Sequence, residues 1–279
     1  MKIGNINNIK DNIQENDFKI KKKFGQNFLT DQNILSKIVQ EAKVDKNTNV
    51  IEVGPGLGSL TEHIAEAANS VLVYEIDKEI MPILRNNLSN YHNVEYVLDD
   101  ILNRNIDEDI ETYFKDDKDV IFISNLPYYI TTTILMKFLE ESKIIKRMVC
   151  MMQLEVAQRV TCDKKSKDYN SLSIAIKYKA DVSLAFKVSK NVFIPKPNVD
   201  SAVVRFEIRD YPIKPINEEL FYKLIRMSFA QRRKTLVNNL KTDYPNIQDI
   251  LSSINIDLMS RAEDLSIDDF IKLSDILAE

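Results

Sequence analysis

The stretch from residue 49 to residue 68 restricts the possible folds of this chain more than any other part. Asn49-Val50-Ile51-Glu52-Val53 is mostly apolar and has the length of a buried strand, Gly54-Pro55-Gly56-Leu57-Gly58 follows at once, and a helical pattern runs from there to about Ala68. A glycine loop between a strand and a helix lets the backbone approach a ligand closely at the helix N-terminus. This order predicts an α/β fold with a largely parallel sheet.

Three further strand-like segments end in side chains that can bind a ligand. The second strand, 70–76, ends in Glu75-Ile76-Asp77, the third, 94–98, is followed by Asp99-Asp100, and the fourth, 120–123, leads to Asn125. Because the carboxyl ends of parallel strands meet at one sheet edge, these groups are expected to share one crevice. Glu75 lies 21 positions after Gly54, where a carboxylate can accept hydrogen bonds from both hydroxyls of a ribose.

The glycine spacing and the neighbouring acids favour S-adenosylmethionine (SAM) as the ligand of this crevice. The loop reads G-x-G-x-G through Gly54, Gly56 and Gly58 rather than G-x-G-x-x-G. Glu52, just before the loop, can hold the cationic amino group of a methionine moiety, whereas it would repel a pyrophosphate. Asp100 can accept a hydrogen bond from an adenine amino group. We therefore predict a SAM site, with a dinucleotide site as the less favoured alternative.

Asn125-Leu126-Pro127-Tyr128 is the stretch that indicates a reaction. Pro127 cannot continue a strand ladder and favours an extended Leu126, so the strand ends here and displays the Asn125 side chain and the adjoining carbonyls. A carboxamide oxygen beside a backbone carbonyl can accept both hydrogens of an exocyclic amino group, and Tyr128 can stack on a flat ring. The pattern predicts an amino-group methyltransferase; the alternative is a strand-ending turn with core aromatics.

The rest of the chain divides into a tail and two predicted domains. Residues 1–18 are polar and without useful periodicity, and we expect a mobile tail there. Residues 19–212 contain the strands and helices of the α/β domain. A linker is predicted at Pro212 and Pro215, and residues 213–279 are predicted to form an all-helical C-terminal domain.

The sequence also argues against several kinds of protein. No apolar run approaches the ~18 residues of a membrane span, and the N-terminus lacks the apolar segment of a secretion signal. Cys150 and Cys162 fit a reducing cytoplasm better than a disulfide framework. Neither they nor His63 and His92 have the spacing of metal ligands. We expect a cytoplasmic protein that contains no metal and contacts no membrane.

Seven motifs occur in order along the chain: Phe24-Gly25-Gln26-Asn27-Phe28-Leu29, Glu52-Val53-Gly54-Pro55-Gly56-Leu57-Gly58, Glu75-Ile76-Asp77, Asn125-Leu126-Pro127-Tyr128, Phe193-x-Pro195-x-Pro197-x-Val199-Asp200-Ser201-Ala202-Val203-Val204, Gln231-Arg232-Arg233-Lys234-Thr235 and Arg261-Ala262-Glu263. Together they resemble the motifs of the rRNA adenine N6,N6-dimethyltransferase family. Within that family, they are similar to those of the small-subunit rRNA dimethyladenosine transferases of the KsgA/Dim1 type.

The resemblance implies a seven-stranded, Rossmann-like SAM-dependent methyltransferase sheet with its last strand antiparallel, plus a small helical C-terminal domain. It implies SAM contacts at Asn27, Leu29, Gly54, Glu75, Asp100 and Asn125, to which we add the neighbouring Gln26, Glu52, Gly56, Gly58, Ile76 and Asp99. The implied substrate is a pair of adjacent adenosines in a hairpin loop near the 3′ end of small-subunit (16S) rRNA, each dimethylated during small-subunit biogenesis. The expected partner is an immature 30S-type particle, and the enzyme is expected to be a monomer.

The resemblance also suggests how the reacting groups are used. We expect Asn125 Oδ1 and the Leu126 carbonyl to accept the hydrogens of the adenine N6 amine, so that its lone pair can attack the methyl group in line. Tyr128 and Phe193 are expected to sandwich a base that has left its stack, beside Pro127. Tyr129 departs from the family, in which Asn or a small residue often follows the tyrosine.

Basic residues are concentrated in a few runs although the net charge is −4. Residues 223–241 contain six basic residues and no acid, and residues 143–167 contain seven basic residues and two acids. Each run could be only a solvated helix face. Because the C-terminal domain faces RNA in relatives, we instead predict contacts to RNA phosphates. The predicted contact residues are Lys21, Lys22, Lys23, Arg232, Arg233 and Lys234.

Other functions stay open at this point. A large-subunit rRNA adenine methyltransferase that confers macrolide resistance shares the core motifs. The chain could also act mainly as a ribosome-assembly checkpoint that binds immature subunits, with catalysis secondary. A DNA amino-methyltransferase is disfavoured, because the helical C-terminal region and the loop 193–201 fit the rRNA family.

Overall fold

The computed structural model describes residues 2–15, 20–21, 25–164, 166 and 168–278, which fall into two compact units. The first contains the residues up to Ala157 together with Asp181–Ile208, and the second contains Gln158–Ala180 together with the residues from Arg209 onward. The predicted boundary between residues 212 and 213 lies close to the division between Ile208 and Arg209. Residues 158–180, which the sequence assigns to the sheet domain, group with the second unit.

Strands and α-helices alternate up to about residue 161, a further α-helix and three strands complete the part up to residue 208, and helices follow in the described residues after it. The strands are β1 (Phe28–Leu29), β2 (Thr48–Val53), β3 (Ser70–Glu75), β4 (Val94–Leu98), β5 (Asp119–Asn125), β6 (Arg147–Gln153), β7 (Ala180–Val188), β8 (Phe193–Ile194) and β9 (Ser201–Ile208). The helices are α1 (Ile6–Glu15), α2 (Gln32–Glu41), α3 (Ser59–Ala67), α4 (Met81–Asn87), α5 (Ile106–Tyr113), α6 (Thr131–Glu141), α7 (Leu154–Thr161), α8 (Ser171–Lys179), α9 (Glu218–Ser228), α10 (Leu236–Leu240), α11 (Ile247–Ser253) and α12 (Ile267–Ala278). Within the described ranges, no helix has both the length and the apolar character that a membrane crossing requires.

The first unit is built on a mixed sheet that contains seven strands within the described residues, in the order β4-β3-β2-β5-β6-β9-β7. The strands from β4 to β6 are parallel to their neighbours, and β9 runs antiparallel to β6. This confirms the predicted α/β sheet with its last strand antiparallel. Because β2, β3, β4 and β5 are parallel, the polar groups that follow them lie at one sheet edge.

The central strands are buried along nearly their whole length, as their apolar sequences predict. β2 is buried from Thr48 to Val53, and β5 is buried from Val120 to Ser124. Runs of this kind are typical of parallel strands covered by helices on both faces. Apolar residues of α2 and α3, among them Ile38 and Ile64, pack in the same core cluster as Val50 of β2. This packing fixes the strand ends that form the edge with the polar groups.

A small second sheet connects two predicted motifs. β1 pairs with β8 in antiparallel register, with Phe28 opposite Ile194 and Leu29 opposite Phe193. In addition, the backbone N–H of Thr30 donates to the carbonyl of Val192 at 2.9 Å. The loop that carries the predicted stacking residue Phe193 is therefore tied to the segment 25–29.

The second unit has its own helical core. Phe221, Leu224 and Ile225 of α9 are buried in one cluster with residues of α10, α11 and α12, which confirms the predicted helical pattern after residue 216. Tyr178 of α8 joins the same cluster, with its ring centroid 4.9 Å from that of Phe221. α8 therefore belongs to the helical unit because of the core into which it packs, and a local sequence pattern cannot reveal that choice.

The structure also differs from the expected mobile tail. Residues 6–15 form α1, Ile9 is fully buried among Phe28, Leu57 and Ile80, and Ile3 packs in the main core. The isoleucines at positions 3, 6 and 9 recur at nearly helical spacing, but the many Asn and Lys residues around them obscure that pattern. Residues 16–18 of the predicted tail lie outside the described residues.

Candidate active site

A pocket lies at the carboxyl ends of β2, β3, β4 and β5, where the sequence predicts a crevice. Most of the predicted cofactor and acceptor residues line it: Gln26, Asn27, Leu29, Glu52, Gly54, Gly56, Glu75, Ile76, Asp99, Asp100, Asn125, Leu126, Pro127 and Tyr128. Phe28, Leu60, Ile101 and Tyr129 line it too. These apolar and aromatic residues are not in the predicted site, because in a sequence they cannot be distinguished from core residues.

The glycine loop forms one wall of the pocket. The N–H of Gly54 donates to the carbonyl of Tyr74 at 2.9 Å, so the loop turns toward β3. Gly56 has a φ of 60°, and a Cβ there would lie 3.0 Å from the ring of Phe28. A side chain at position 56 would therefore be strained and would crowd the pocket wall.

Gly58, the last glycine of the loop, packs closely against α4. It precedes α3 with a φ of 93°, and a Cβ there would lie 3.0 Å from Leu84 and 3.2 Å from Leu88. It is not among the described residues that line the pocket. The absent side chain of Gly58 therefore allows close packing of the loop on α4, and its cofactor contact stays a prediction.

Glu75 ends β3 and is held from two sides. Its Oε1 accepts from the N–H of Asp77 at 2.9 Å, and its Oε2 accepts from the N–H of Gly56 at 3.4 Å. Burial raises the pKa of Glu75 to about 7, and the two backbone hydrogen bonds oppose that rise. The carboxylate is thus oriented at the place where the sequence predicts ribose hydroxyls as donors.

Glu52 is the most buried acid that lines the pocket, with 1% of its surface exposed. Its Oε2 has no hydrogen-bond partner within the part of the chain that the structure describes. Burial raises the pKa of Glu52 to about 8. A buried carboxyl oxygen without a partner is costly, and a cationic group in the pocket would relieve that cost.

The two acids after β4 are oriented by the turn that they begin. Asp100 Oδ1 accepts from the N–H of Leu102 at 3.0 Å. Asp99 Oδ1 accepts from the N–H of Asp100 at 2.8 Å, and its Oδ2 lies 3.5 Å from Arg104. Asp99 is therefore engaged by its own turn and by Arg104, and Asp100 Oδ1 is engaged by the turn that follows it.

Asn125 ends β5 with its carboxamide in a defined orientation. Its Nδ2 donates to the backbone carbonyl of Asn27 at 3.3 Å, which leaves Oδ1 as an acceptor. The next N–H, that of Leu126, donates to Met151 O of the neighbouring strand at 3.0 Å. Ser124 Oγ donates to the carbonyl of Val53 at 2.7 Å, which ties β5 to the end of β2.

The turn after Asn125 fixes the two tyrosines. The carbonyl of Pro127 accepts from Thr131 Oγ1 at 2.9 Å and from the N–H of Ile130 at 3.3 Å. The hydroxyl of Tyr128 lies 2.7 Å from Ser201 Oγ, and burial raises its pKa. Tyr129 remains 52% exposed at the pocket. The pocket thus presents one anchored and one exposed aromatic ring.

The described residues that line the pocket do not include Phe193, which the sequence predicts to stack on the base. It is 3% exposed and packs in the main core cluster, and its backbone pairs with that of Leu29. Its side chain lies in the same core cluster as that of Leu29. The physical reason is that pairing of β8 with β1 turns the apolar ring into the core.

The predicted RNA-contacting residues have different surroundings. Lys21 Nζ lies 2.8 Å from Asp77 and 2.9 Å from Glu79, so its charge is compensated by two carboxylates and its predicted phosphate contact is disfavoured. Lys22 and Lys23 lie outside the described residues. In the second unit, Arg232 Nε lies 3.2 Å from Glu263 Oε2 and is half exposed. Arg233 and Lys234 are exposed in the same turn.

The residues of the pocket fit SAM. Glu52 has an orphaned buried oxygen for an ammonium group, Glu75 is oriented for ribose hydroxyls, and Asp100 lines the pocket with a carboxylate. The loop leaves room beside Gly54 and Gly56 because neither has a side chain. When bound, SAM would supply the electrophilic methyl group, and Asn125 Oδ1 lies at the same sheet edge to receive the amine.

Comparisons with known proteins identify the family of this chain. The model of the ribosomal RNA adenine dimethylase family matches residues 17–279. The ribosomal RNA small subunit methyltransferase A of Bacillus pumilus is 46% identical over 276 residues, which cover 96% of this chain and 94% of that protein. The protein of the same name from Lactococcus lactis is 45% identical over 282 residues, with 99% and 96% covered.

Solved structures have the same fold. A dimethyladenosine transferase from Plasmodium falciparum superposes with a TM-score of 0.73 at 24% identity, over 88% of this chain and 95% of that one. The 23S rRNA methyltransferase ErmE superposes with a TM-score of 0.66 at 25% identity, over 90% and 99% of the two chains. The family match extends over nearly the whole sequence, and this chain therefore belongs to the ribosomal RNA adenine dimethylase family.

Proposed function

We propose that this protein transfers methyl groups from SAM to N6 of adenosines in small-subunit rRNA and forms N6,N6-dimethyladenosine. The observation that carries the proposal is the Asn125 carboxamide. Its Nδ2 is engaged by the Asn27 carbonyl, so its Oδ1 is the free acceptor in a pocket that also contains Glu52, Glu75 and Asp100. The relatives named ribosomal RNA small subunit methyltransferase A support the choice of subunit.

The chemistry follows from the poor nucleophilicity of an aromatic amine, whose lone pair is delocalised into the ring. Asn125 Oδ1 and the Leu126 carbonyl accept the two hydrogens, so that the nitrogen can pyramidalise and direct its lone pair out of the ring plane. Tyr128 holds the ring by stacking. The amine loses its proton readily after transfer, so positioning by these residues accounts for catalysis without a strong base.

A second transfer to the same nitrogen makes a further demand on the pocket. The monomethylated amine has one hydrogen left to donate, so one of the two acceptors has to tolerate a methyl group beside it. Asn125 Oδ1 is held by the bond from Nδ2 to Asn27, whereas the Leu126 carbonyl comes just before the turn that begins at Pro127. We propose that Asn125 keeps its hydrogen bond through both transfers.

The finer features of the substrate are part of the proposal. We propose that the target is a pair of adjacent adenosines in the 3′-terminal hairpin loop, presented by an immature 30S-type particle. The exposed Arg233 and Lys234, with the half-exposed Arg232, would contact RNA phosphates and set affinity rather than base choice. We expect the enzyme to act as a monomer in the cytoplasm.

The second candidate is methylation of large-subunit rRNA. It is favoured by the superposition on ErmE, which covers 90% of this chain. The higher identity to the small-subunit methyltransferases weighs against it. Both candidates use the same pocket, so only the RNA substrate distinguishes them.

The deciding experiment is transfer of tritium from labelled SAM to purified ribosomal subunits that lack the modification, with small and large subunits in parallel. Primer extension then maps the product. Stops at two adjacent adenosines near the 3′ end of small-subunit rRNA are expected. Label in the large subunit alone would establish the second candidate, and label in neither subunit would refute both.

A further inference from the structure

Asp77 is a buried carboxylate that contacts the walls of the pocket from behind. It is 2% exposed and is not among the described residues that line the pocket. Its Oδ1 accepts from Lys21 Nζ at 2.8 Å and from the N–H of Glu79 at 3.1 Å, and its Oδ2 accepts from Gln26 Nε2 at 3.0 Å. Burial acts to raise the pKa of Asp77, but these hydrogen bonds outweigh burial and lower it. Asp77 is therefore an ionised carboxylate that accepts hydrogen bonds from Lys21, Glu79 and Gln26.

The first connection runs through Gln26 toward the reacting amine. Gln26 Oε1 accepts from the N–H of Lys21 at 2.7 Å, while Nε2 donates to Asp77. Both ends of this carboxamide are thus engaged, and the side chain, which also lines the pocket, links two segments of the chain. The next residue is Asn27, whose carbonyl accepts from Asn125 Nδ2. Asp77 therefore fixes the segment that orients the Asn125 carboxamide.

The second connection runs toward the cofactor side of the pocket. The backbone N–H of Asp77 donates to Glu75 Oε1 at 2.9 Å. This bond uses the backbone, so it survives a change of the side chain at position 77. The side chain and the backbone of one residue thus act on two different parts of the site.

We propose that the Asp77 side chain is a positioning residue for methyl transfer, acting through Gln26 and the Asn27 carbonyl on the orientation of Asn125. This inference rests on the proposed function. It assigns Asp77 no contact with substrate or cofactor. Removal of the Asp77 carboxylate should therefore lower turnover more than SAM affinity, because the backbone bond from residue 77 to Glu75 is retained.

The test compares Asp77→Asn with the native full-length chain. The asparagine has nearly the same shape, but its amino group cannot accept from Gln26 and carries no charge for Lys21. We expect kcat for transfer to small subunits to fall at least about tenfold, while the SAM dissociation constant changes less than about threefold. Combining it with Gln26→Glu exchanges donor and acceptor between positions 26 and 77 and keeps an acceptor for the Lys21 backbone N–H, so kcat is expected to recover.

Asp116→Asn is the matched control for loss of a multiply bonded carboxylate in the same unit. Asp116 accepts from Asn49 Nδ2 at 2.7 Å, Asn69 Nδ2 at 2.9 Å and the N–H of Lys118 at 3.2 Å, near the amino ends of β2 and β3. A general structural effect would lower Tm and activity alike in both variants. We expect Asp116→Asn to lower Tm without lowering kcat.

The outcomes separate the two claims. Native turnover in Asp77→Asn, or an equal loss of kcat in Asp116→Asn, would overturn the positioning role alone. If the native chain labels no subunit, the proposed function fails and this inference falls with it. Should Asp77→Asn not fold, Gln26→Met carries the test, since it leaves the Lys21–Asp77 ion pair in place. The same loss of kcat is expected, and native kcat in Gln26→Met would refute the role.

Discussion

The hydroxyl of Tyr128 lies 2.7 Å from the hydroxyl of Ser201, which joins the turn after β5 to the first residue of β9. Ser201 is fully buried, so the pair is shielded from water. The ring that is proposed to stack on adenine is thus anchored at its far end by a strand of the sheet.

Removing this hydrogen bond should have a smaller effect than removing the ring. Tyr128→Phe keeps the stacking surface and loses one hydrogen bond, which is worth about 0.5–1.5 kcal/mol, so Tm should fall slightly and activity should persist. Tyr128→Ala also loses stacking worth roughly 1–3 kcal/mol per base and should raise KM for the small subunit more than tenfold. Steady-state kinetics and thermal unfolding test both; equal activity of the two variants would contradict the stacking role.

Asn125→Ala should lower kcat by at least about a hundredfold, because the fixed acceptor of the amine is lost. SAM binding should remain measurable, since Glu52, Glu75 and Asp100 are unchanged. Asn246→Ala, at an exposed asparagine whose side chain makes no cap hydrogen bond, is the control and should retain full activity. Tritium transfer and calorimetric SAM titration give the two quantities. Turnover of Asn125→Ala near the native rate would contradict the mechanism.

The second and third glycines of the loop, Gly56 and Gly58, should respond differently to alanine. Gly56→Ala places a Cβ 3.0 Å from Phe28 at the pocket wall and should weaken SAM binding at least about tenfold. Gly58→Ala places a Cβ 3.0 Å from Leu84 on α4 and should reduce the free energy of unfolding by about 1–3 kcal/mol, with SAM affinity nearly intact. Urea unfolding and SAM titration distinguish them. A stronger effect of Gly58→Ala on SAM affinity would restore its predicted cofactor contact.

Glu52 makes the cofactor-free chain sensitive to pH. Its pKa rises from 4.5 in the unfolded chain to about 8 in the folded chain, because burial disfavours the charged form. Its contribution to stability is therefore fully present below pH 4.5 and is lost progressively as pH rises through about 8. Glu52→Gln, which cannot ionise, should make the free energy of unfolding less dependent on pH over this range.

The same group should give SAM binding the opposite pH dependence. A cationic ligand favours the ionised carboxylate, so the affinity of the native chain should increase as pH approaches about 8. Glu52→Gln should bind SAM more weakly and with less dependence on pH. Urea unfolding and calorimetry at several pH values test both statements. Parallel pH profiles of the native chain and Glu52→Gln would contradict the assignment.

Charge reversal in the turn after α9 should weaken RNA binding without changing base choice. Arg233→Glu combined with Lys234→Glu removes two exposed cations and should reduce the slope of log K against log salt by about one for each lost phosphate contact. Lys272→Glu, at an exposed lysine of α12, is the control. Filter binding of small subunits at several salt concentrations measures the slope. An unchanged slope would mean that Arg233 and Lys234 are solvated surface charges that do not contact RNA.

The sheet edge and its acids could be predicted because they depend on local order. Parallel strands bring their carboxyl ends together whatever else the chain does, so Glu75, Asp100 and Asn125 could be assigned to one crevice from the sequence. The positions of β2, β3, β4 and β5 follow from the same local order. Local propensity and long-range packing agree in this part of the chain.

The missed features depend on distant partners. Phe193 is drawn into the core by the pairing of β8 with β1, and Lys21 is engaged by Asp77, 56 residues away. α8 and α1 are local helices whose place is decided by Tyr178 and Ile9, each buried in a cluster assembled from other elements. A local sequence pattern can predict a helix, but it cannot predict in which of two cores the apolar side chains of that helix are buried.

The exposure of Tyr129 has a practical consequence for spectroscopy. The chain contains no tryptophan, so its intrinsic fluorescence arises from tyrosine alone. Tyr129 lines the pocket and is 52% exposed, and a single indole introduced there would emit without any background from other indoles. The Tyr129→Trp variant would therefore convert occupancy of the pocket into an optical signal, so that ligand arrival and departure could be followed in a stopped-flow instrument without radioactivity.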